Sequence, residues 1–271
     1  MQSIPTALTI AGTDPTGGAG IQADLKTFQE IKTYGMSVIT SIVAQNTTGV
    51  QDVHHVPDNM IHQQLESVLT DIVPHAFKTG MLANTSIMET VFESIRQLEV
   101  PYVMDPVMVA SSGDPLISED SRDYLSEELV PLTTVVTPNI KEAEVLTGLT
   151  IETTEDMQEA AKQIVHELKA NAALIKGGHM KGEAVDFLYD GESINAFTTE
   201  RINSNNTHGT GCTYSAAITA YLSQGDSLYE AVKKAKQFVT AAIRHSFPLG
   251  EGTGPTNHWA ERVEMGEPYE T

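Results

Sequence analysis

The most constraining feature of this sequence is the alternation of short apolar runs with amphipathic helical patterns along almost its whole length. The predicted buried strands are 7–10, 38–44, 76–80, 102–107, 134–137 and 173–176, and most are followed by a helical pattern. Two further segments, 185–189 and 194–202, form a predicted antiparallel pair that turns at Asp190-Gly191. Repeated strand–helix units predict an α/β fold with a central, mainly parallel sheet flanked by helices on both faces.

The chain is predicted to fold as one domain, residues 1–271, because its composition shows no break that would mark a linker. A short stretch of alternating character, 50–56, is predicted to form a small flap outside the main sheet. The predicted helices include 119–129, 140–146, 154–169, 210–222 and 228–246. Residues 264–271 are predicted to be a loose tail.

The charge balance restricts the partners of this protein. Sixteen Lys and Arg against 36 Asp and Glu give a net charge of −20, which should repel nucleic acid and anionic membranes. An anionic substrate would therefore need a local positive site made from Mg²⁺, helix N-termini or placed lysines. The alternative is that the charge serves only solubility. With one cysteine, no secretory pattern and no membrane-length apolar run, a cytoplasmic location is expected.

Polar and glycine motifs follow several of the predicted strands. Parallel sheets of this kind bind ligands beyond the carboxyl ends of their strands, so these motifs are expected to converge on one edge of the sheet. The motifs are Gly12-Thr13-Asp14, Gly80-Met81, Asp105-Pro106, Pro138-Asn139 and Gly177-Gly178.

The motif Asn-Thr-His-Gly-Thr-Gly-Cys-Thr at 206–213 precedes an alanine-rich helix. Two glycines at a loop-to-helix junction let backbone N–H groups converge at the positive end of the helix dipole, which favours an anion hole for phosphate. A simple tight turn into a helix is the alternative. Cys212 lies at the same helix end, where a thiol pKa can fall, although a buried structural cysteine is equally consistent with its position.

Asp105, Glu142 and Lys176 are candidates for phosphate chemistry. Carboxylates suit Mg²⁺, but Asn139 and Glu142 also have the spacing of a helix capping box. Lys176 precedes two glycines and can reach a phosphate without obstruction, or it can be a surface lysine before a turn. The histidines do not have the spacing of zinc ligands, so zinc is not expected.

The loop Gly-Thr-Asp-Pro-Thr-Gly-Gly-Ala-Gly at 12–20 has neither the G-K-[ST] ending of a Walker loop nor the spacing of a dinucleotide site. We therefore interpret it as the approach to a flat substrate rather than as the ATP site. Gln45 ends the next predicted strand, and its amide can pair with a pyrimidine nitrogen and amino group. Asp24 can accept from a substrate hydroxyl or amine. The alternative for both residues is a hydrogen bond that fixes a loop.

Taken together, these motifs resemble the ribokinase superfamily and, more narrowly, the hydroxymethylpyrimidine/phosphomethylpyrimidine kinases of thiamine biosynthesis. The resemblance runs from Leu8 to about Trp259. The matching stretches are LTIAGTDPTGGAGIQADLKTF, VAQNTTGVQ, KTGML, DPVM, SGDPL, TPNIKEAE, IKGGH and NTHGTGCTYSAA.

The resemblance implies ATP, Mg²⁺, a small-molecule pyrimidine substrate and a homodimer. It implies that Cys212 is the base that takes the proton of the substrate hydroxyl. Our mechanistic hypothesis is that Cys212 does so as a thiolate. The anion hole would comprise Gly209, Thr210 and Gly211. The nucleotide and Mg²⁺ region would comprise Asp105, Asn139, Glu142, Lys176, Thr207 and either Lys234 or Lys236. The pyrimidine pocket would comprise Gly12, Asp24, Gln45, Met81, Val107 and Cys212.

One departure concerns the loop after the DPVM motif. Many relatives carry a lysine just before its Ser-Gly, whereas this chain has Ser111 there, which puts the second phosphorylation in doubt. Vitamin B6 kinase activity on pyridoxine or pyridoxal is the alternative, although the Ala-Gln-Asn-Thr stretch at 44–47 favours the pyrimidine. A non-catalytic pyrimidine sensor is a third hypothesis, and the joint presence of the phosphoryl-transfer residues argues against it.

Overall fold

The computed structural model describes residues 4–108, 118–178, 180 and 182–266. Within these residues an eight-stranded sheet has the order β10-β9-β8-β7-β6-β5-β1-β2, and β3 and β4 form a separate two-stranded sheet. The strands are β1 Thr6–Ala11, β2 Tyr34–Ile39, β3 Ser41–Asn46, β4 Gly49–His55, β5 Ala76–Thr79, β6 Tyr102–Met104, β7 Val135–Val136, β8 Ala173–Lys176, β9 Ala184–Tyr189 and β10 Ile194–Thr199. The helices are α1 Gly20–Glu30, α2 Asp58–Leu69, α3 Thr85–Ile95, α4 Glu119–Tyr124, α5 Ile140–Thr147, α6 Thr154–His166, α7 Thr210–Ser223, α8 Leu228–Arg244 and α9 Ala260–Glu264.

The six strands β2, β1, β5, β6, β7 and β8 pair in parallel, and β9 and β10 continue the sheet antiparallel. This confirms the predicted mainly parallel sheet and the antiparallel pair that follows it. All the parallel strands therefore end at one edge of the sheet, where β1, β6 and β8 are followed by Gly12, Asp105 and Gly177.

Both faces of the sheet are buried, which explains why its strands read as nearly continuous apolar runs. One core contains residues of α2, α3 and α6, including Ile61, Ile87 and Ile164. The other lies beneath α1, α7 and α8, where small residues such as Ala7 and Ala76 let the helices approach closely. Helix α7 packs against α1 and α8 as well as the sheet, so even its polar residues are buried and its alanine-rich composition fits a crowded position.

The flap differs from the sequence prediction at its base. Residues 38–44 were expected to form one strand, but the chain leaves the main sheet at Thr40, whose N–H donates to Ala11 O and whose hydroxyl donates to Met81 O. The first of these is the last bond of the parallel β1–β2 ladder, and beyond Thr40 the chain enters β3, which pairs antiparallel with β4. Ser41, Val43 and Gln45 alternate on the more buried face of the flap.

Two other segments depart from the expected helices. The predicted helix 119–129 is α4 followed by a π-helical turn, Leu125–Leu129, and a 3₁₀ turn, Val130–Leu132. The proline at position 131 lacks an N–H and cannot extend an α-helix. The short helix α9 was not predicted, and it ends where the predicted loose tail begins. Of that tail, residues 267–271 lie outside the described residues.

Candidate active site

The loop before α7 and the loop after β1 touch at their backbones. Gly209 is the N-cap of α7 and adopts φ +80°, and a Cβ there would overlap Gly18 O. Thr207 O accepts hydrogen bonds from Thr210 N, at 3.2 Å, and Thr210 Oγ1, at 2.7 Å, which fixes the turn into the helix. The first N–H groups of an α-helix have no partner within it, so this turn presents donors at the positive end of the dipole.

Cys212 lies in the first turn of α7 and is half-buried. Burial raises the pKa of its thiol to about 12. The positive charge of Lys78 and a hydrogen bond from the Gly20 N–H lower this pKa, and the negative charges of Asp24 and Asp105 raise it further. The prediction that the helix end favours a thiolate is therefore wrong for the protein without ligands. A helix terminus contributes only partial charge, and here the loss of hydration outweighs it.

An ion pair lies directly beneath this turn. Lys176 Nζ donates to Asp105 Oδ1 at 2.8 Å. A Cβ on Gly211 would lie 3.4 Å from both Lys176 Nζ and Asp105 Oδ2, so the pair approaches the backbone of the predicted anion hole. Burial favours loss of the Lys176 charge, but Asp105 and Glu142 outweigh it and raise the pKa of Lys176.

Glu142 joins this group through a capping box. Asn139 Oδ1 accepts from Glu142 N at 3.0 Å, and Glu142 Oε2 accepts from Asn139 N at 2.8 Å, which confirms the capping interpretation. The carboxyl is nearly buried, and this burial raises its pKa to about 7, while Lys176 opposes the rise and Asp105 adds to it. Capping therefore holds the side chain at the site and does not remove it from the cleft.

The two candidate lysines of α8 lie in different places. Lys236 Nζ donates to Asp186 Oδ2 at 2.7 Å, and Asp186 Oδ1 accepts from Gly177 N at 2.9 Å, next to Lys176. Lys234 instead pairs with Asp226, just beyond the C-terminus of α7. The structure therefore brings Lys236 toward the site and leaves Lys234 at the opposite end of α7.

Most of the predicted pyrimidine-pocket residues lie around the carboxyl end of β1. A Cβ on Gly12 would lie 2.7 Å from Met81 Cε and 3.5 Å from Ser41 O, so the glycine allows a close approach. Gln45 lies on the inner face of the flap, and Val107 follows Asp105, whose carbonyl accepts the Val107 N–H at 2.8 Å. The loop that carries Ser111 lies outside the described residues.

Asp24 departs from its expected role. Both its carboxylate oxygens are used internally, one by Lys78 Nζ at 2.7 Å and one by Thr9 Oγ1 at 2.6 Å, and all three side chains are fully buried. The structure therefore places Asp24 as the counter-charge of Lys78 in the layer behind Cys212. Sequence reasoning missed Lys78, although a lysine inside an otherwise apolar strand is an unusual pattern.

Asp14 and His208 were quoted in motifs but given no role. His208 Nε2 lies 2.7 Å from Asp14 Oδ2, so the pair joins the two loops. Among the described residues, no group of three or more His, Cys, Asp and Glu side chains is arranged as a metal cluster. In the same part of the chain, no helix has the length and apolarity needed to cross a bilayer.

Comparison with known proteins identifies the family. A family model described as phosphomethylpyrimidine kinase matches residues 14–257. The chain belongs to the phosphomethylpyrimidine kinase family. A hydroxymethylpyrimidine/phosphomethylpyrimidine kinase of Staphylococcus aureus (strain MSSA476) is 50% identical over 263 residues, which cover 96% of this chain and 95% of that protein.

Two solved structures show the same architecture as this family member. The ADP complex of Bacillus subtilis pyridoxal kinase has a TM-score of 0.89 and 45% identity, and covers 96% of this chain and 100% of that one. Phosphomethylpyrimidine kinase from Clostridium difficile 630 has a TM-score of 0.79 and 42% identity, and covers 88% and 99%. The resemblance, the fold class and the prediction of a kinase are confirmed. Because one of these structures is a pyridoxal kinase, the choice between a pyrimidine and a pyridoxal substrate is argued separately from the family.

Proposed function

We propose that this protein transfers a phosphoryl group from ATP to the hydroxymethyl group of 4-amino-5-hydroxymethyl-2-methylpyrimidine. It then phosphorylates the resulting monophosphate to the diphosphate used in thiamine biosynthesis. The observation that carries the proposal is the meeting of the α7 N-terminus with the Lys176–Asp105 pair. A Cβ built on Gly211, in the first turn of α7, would lie 3.4 Å from Lys176 Nζ and 3.4 Å from Asp105 Oδ2. Backbone donors, a cation and carboxylates at one point suit the transfer of a charged phosphoryl group.

The nucleotide would lie along this part of the site. The backbone at Gly209, Thr210 and Gly211 would bind its transferring phosphoryl group, and Lys176 would neutralise charge on the equatorial oxygens. Lys236 would contribute indirectly, by pairing with Asp186. The Asp186 carboxylate accepts a hydrogen bond from the Gly177 N–H and so fixes the backbone that follows Lys176. Thr207 is exposed beside the anion hole, where it would line the nucleotide site, and the position of Lys234 does not support a phosphate contact.

The residues present fit Mg²⁺. Two buried carboxyls, Asp105 and Glu142, interact electrostatically with each other and with Lys176, and oxygen ligands completed by water and phosphate are the usual environment of this ion. The raised pKa of Glu142 marks a carboxyl whose ionisation a cation would favour. Asp105 and Glu142 would hold the ion directly or through water, with Asn139 fixing Glu142. The ion would supply charge neutralisation to the phosphates.

Cys212 would contact the hydroxyl oxygen of the substrate. In a loose phosphoryl-transfer transition state the nucleophile needs little activation, so positioning contributes more than basicity. The Cys212 sulfur would orient the hydroxyl and receive its proton late, once bond formation to phosphorus has made that proton acidic. Only a thiolate can accept this proton, so the Cys212 thiol would first lose its own proton to solvent as substrate and nucleotide bind.

The acceptor would lie between the flap and the carboxyl end of β1. Gly12 would let the flat ring approach the backbone, and Met81 and Val107 would cover it. Gln45 would pair with the aminopyrimidine edge. Asp24 would support this pocket through its bonds with Lys78 and Thr9 rather than by direct contact.

Pyridoxine kinase activity is the second candidate, favoured by the similarity to the Bacillus subtilis pyridoxal kinase structure. Pyridoxine is also a flat heteroaromatic with a hydroxymethyl group. A coupled ATP-consumption assay with Mg²⁺, run on hydroxymethylpyrimidine and pyridoxine side by side, separates the two. We expect a higher kcat/KM for the pyrimidine, and turnover of pyridoxine alone would refute the proposed substrate.

The proposal extends to the whole molecule. We infer a single kinase domain, a homodimer and a cytoplasmic location, with no nucleic-acid or membrane partner, as expected from the family resemblance and the charge of −20. Sedimentation velocity tests the dimer, since a monomer at micromolar concentration would contradict it.

A further inference from the structure

A segment beyond α8 returns to the loop that precedes α7. This segment, residues 254–258, is called the strap below, and it forms a parallel bridge to His208. His208 N donates to Gly254 O at 3.0 Å, and Thr256 N donates to His208 O at 3.2 Å. The strap therefore fixes the backbone of the residue that immediately precedes the proposed anion hole at 209–211.

The strap also reaches the first turn of α7. His258 Nε2 lies 3.1 Å from Thr213 Oγ1, and Thr256 Oγ1 lies 3.4 Å from the same atom. All three side chains are buried. Thr213 N donates to Gly209 O at 2.9 Å, the bond that opens the helix at its N-cap. The turn that forms the proposed anion hole is therefore held at both of its ends, at His208 and at Thr213, by one short segment.

The strap has a fixed position of its own in the fold. Asn257 N donates to Ala242 O at 2.9 Å, which ties the strap to α8, the long helix that packs beside α7. A Cβ on Gly254 would overlap the Asn206 side chain and Phe247 O, so the strap lies directly against the loop before α7. The support that the strap gives to the turn is therefore anchored in the core of the protein.

The buried ring of His258 contributes packing and a hydrogen bond rather than charge. Burial lowers its pKa to about 4, and the positive charge of Lys26 adds to this shift. The ring is therefore neutral near pH 7. Anion-hole donors stabilise a transition state when they are held in place before charge develops. A neutral support behind Thr213 supplies this rigidity without adding a charge to the site.

We propose that the strap is a positioning element for phosphoryl transfer, in which His258 acts through Thr213 to hold the anion-hole turn in its productive geometry. The inference rests on the proposed function, since it takes the turn at 209–211 as the group that binds the transferring phosphoryl group. Such a turn binds most strongly in the transition state, where charge spreads over the equatorial oxygens. Loosening it should therefore lower kcat more than it raises the KM for ATP.

The test compares Thr213→Val with Thr213→Ser, from initial rates over a range of ATP and hydroxymethylpyrimidine concentrations with Mg²⁺. Valine removes the hydroxyl that faces His258, and serine keeps it. We expect kcat to fall by about tenfold in Thr213→Val, the effect of one hydrogen bond, with both KM values within about twofold of the wild type. Thr213→Ser should recover most of the lost kcat.

Tyr189→Phe is the matched control for a purely structural effect. It also removes a hydroxyl that bonds a histidine, since Tyr189 Oη lies 2.9 Å from His166 Nε2. Tyr189 pairs with Ala173 at the start of β8, at the edge of the sheet opposite the site. Its kcat should equal that of the wild type.

A second variant keeps the inference testable if Thr213→Val does not fold. His258→Phe replaces the imidazole by an apolar ring and should lower kcat to a similar extent. In the variant that combines the two substitutions, kcat should be no lower than in the more impaired single variant, because both break the same contact. Multiplying losses would overturn the action of His258 through Thr213.

The outcomes separate this inference from the proposed function. An unchanged kcat in Thr213→Val or His258→Phe, with normal wild-type turnover, would overturn the role of the strap and leave the kinase proposal intact. A raised KM for ATP with unchanged kcat would overturn it too, as would an equal loss of kcat in Tyr189→Phe. A wild type that phosphorylates only pyridoxine would overturn the proposed substrate alone, because the same comparison then applies with pyridoxine. A wild type that phosphorylates neither acceptor would overturn both.

Discussion

The nearly buried carboxyl of Glu142 should make the stability of the ligand-free protein depend on pH. Its pKa rises from an ordinary value of 4.5 to about 7. A folded state that holds this proton more tightly than the unfolded chain loses free energy of unfolding as the pH rises from the lower value to the higher. At about 1.36 kcal/mol per pKa unit, the loss amounts to ~3 kcal/mol above pH 7.

Glu142→Gln removes this titration while its side-chain carbonyl can still accept from the Asn139 N–H. We expect the variant to match the wild type below about pH 4 and to exceed it by up to ~3 kcal/mol at pH 8 in urea unfolding without Mg²⁺ or nucleotide. Titrating groups that do not interact with Glu142 cancel in the difference between the two proteins. The exposed Glu167→Gln variant is the matched control and should show no such trend.

Ligand binding should reverse the order. If Glu142 serves the Mg²⁺ region, Mg²⁺ with an ATP analogue should stabilise the wild type more than Glu142→Gln at pH 8. If the difference in free energy of unfolding between the wild type and Glu142→Gln does not change between pH 5 and pH 8, burial does not raise the pKa of Glu142 as described. Equal stabilisation of both proteins by the Mg²⁺–nucleotide complex would refute the metal role.

Three other substitutions test separate parts of the site. Gly209→Ala would overlap Gly18 O and should abolish most turnover, whereas Gly148→Ala, at φ +70° with open space around it, should cost only ~1–2 kcal/mol of stability and no activity. Cys212→Ala should lower kcat by about 10²-fold or more with little change in ATP affinity measured by calorimetry, and unchanged turnover would exclude Cys212 from catalysis. Lys236→Met should raise the KM for ATP because it releases Asp186, while Lys234→Met should leave that KM unchanged; equal effects would contradict their assigned positions.

The sequence was sufficient to predict the sheet and the edge where its motifs meet. Strand ends such as Asp105 and Gly177 are local features, and parallel strands bring them together without further information. The break at Thr40 could not be seen, because residues 38–44 are apolar on both sides of it. The contact that marks the break is the hydrogen bond from the Thr40 hydroxyl to Met81 O, 41 residues away in the chain.

The chemistry of individual side chains was less predictable than their positions. Asp24 has the residue type of a substrate ligand. In the structure, however, one of its carboxylate oxygens accepts a buried hydrogen bond from Lys78, which lies 54 residues away in the chain. The pKa of Cys212 depends on the surrounding layer more than on its helix end. Asp14 reads as a loop aspartate in the sequence, and only the fold places His208 beside it, 194 residues further along.

The central claim is that one site performs both phosphorylations, and a ³¹P NMR progress curve tests it most directly. Purified protein, Mg²⁺, ATP and hydroxymethylpyrimidine are followed until the ATP is consumed. We predict that the resonance of the pyrimidine monophosphate rises and then declines. As it declines, the two coupled resonances of the pyrimidine diphosphate appear, at shifts distinct from those of ADP. Accumulation of the monophosphate with no diphosphate would contradict the claim and show that the chain, with Ser111 in place of the lysine common in relatives, stops after one transfer.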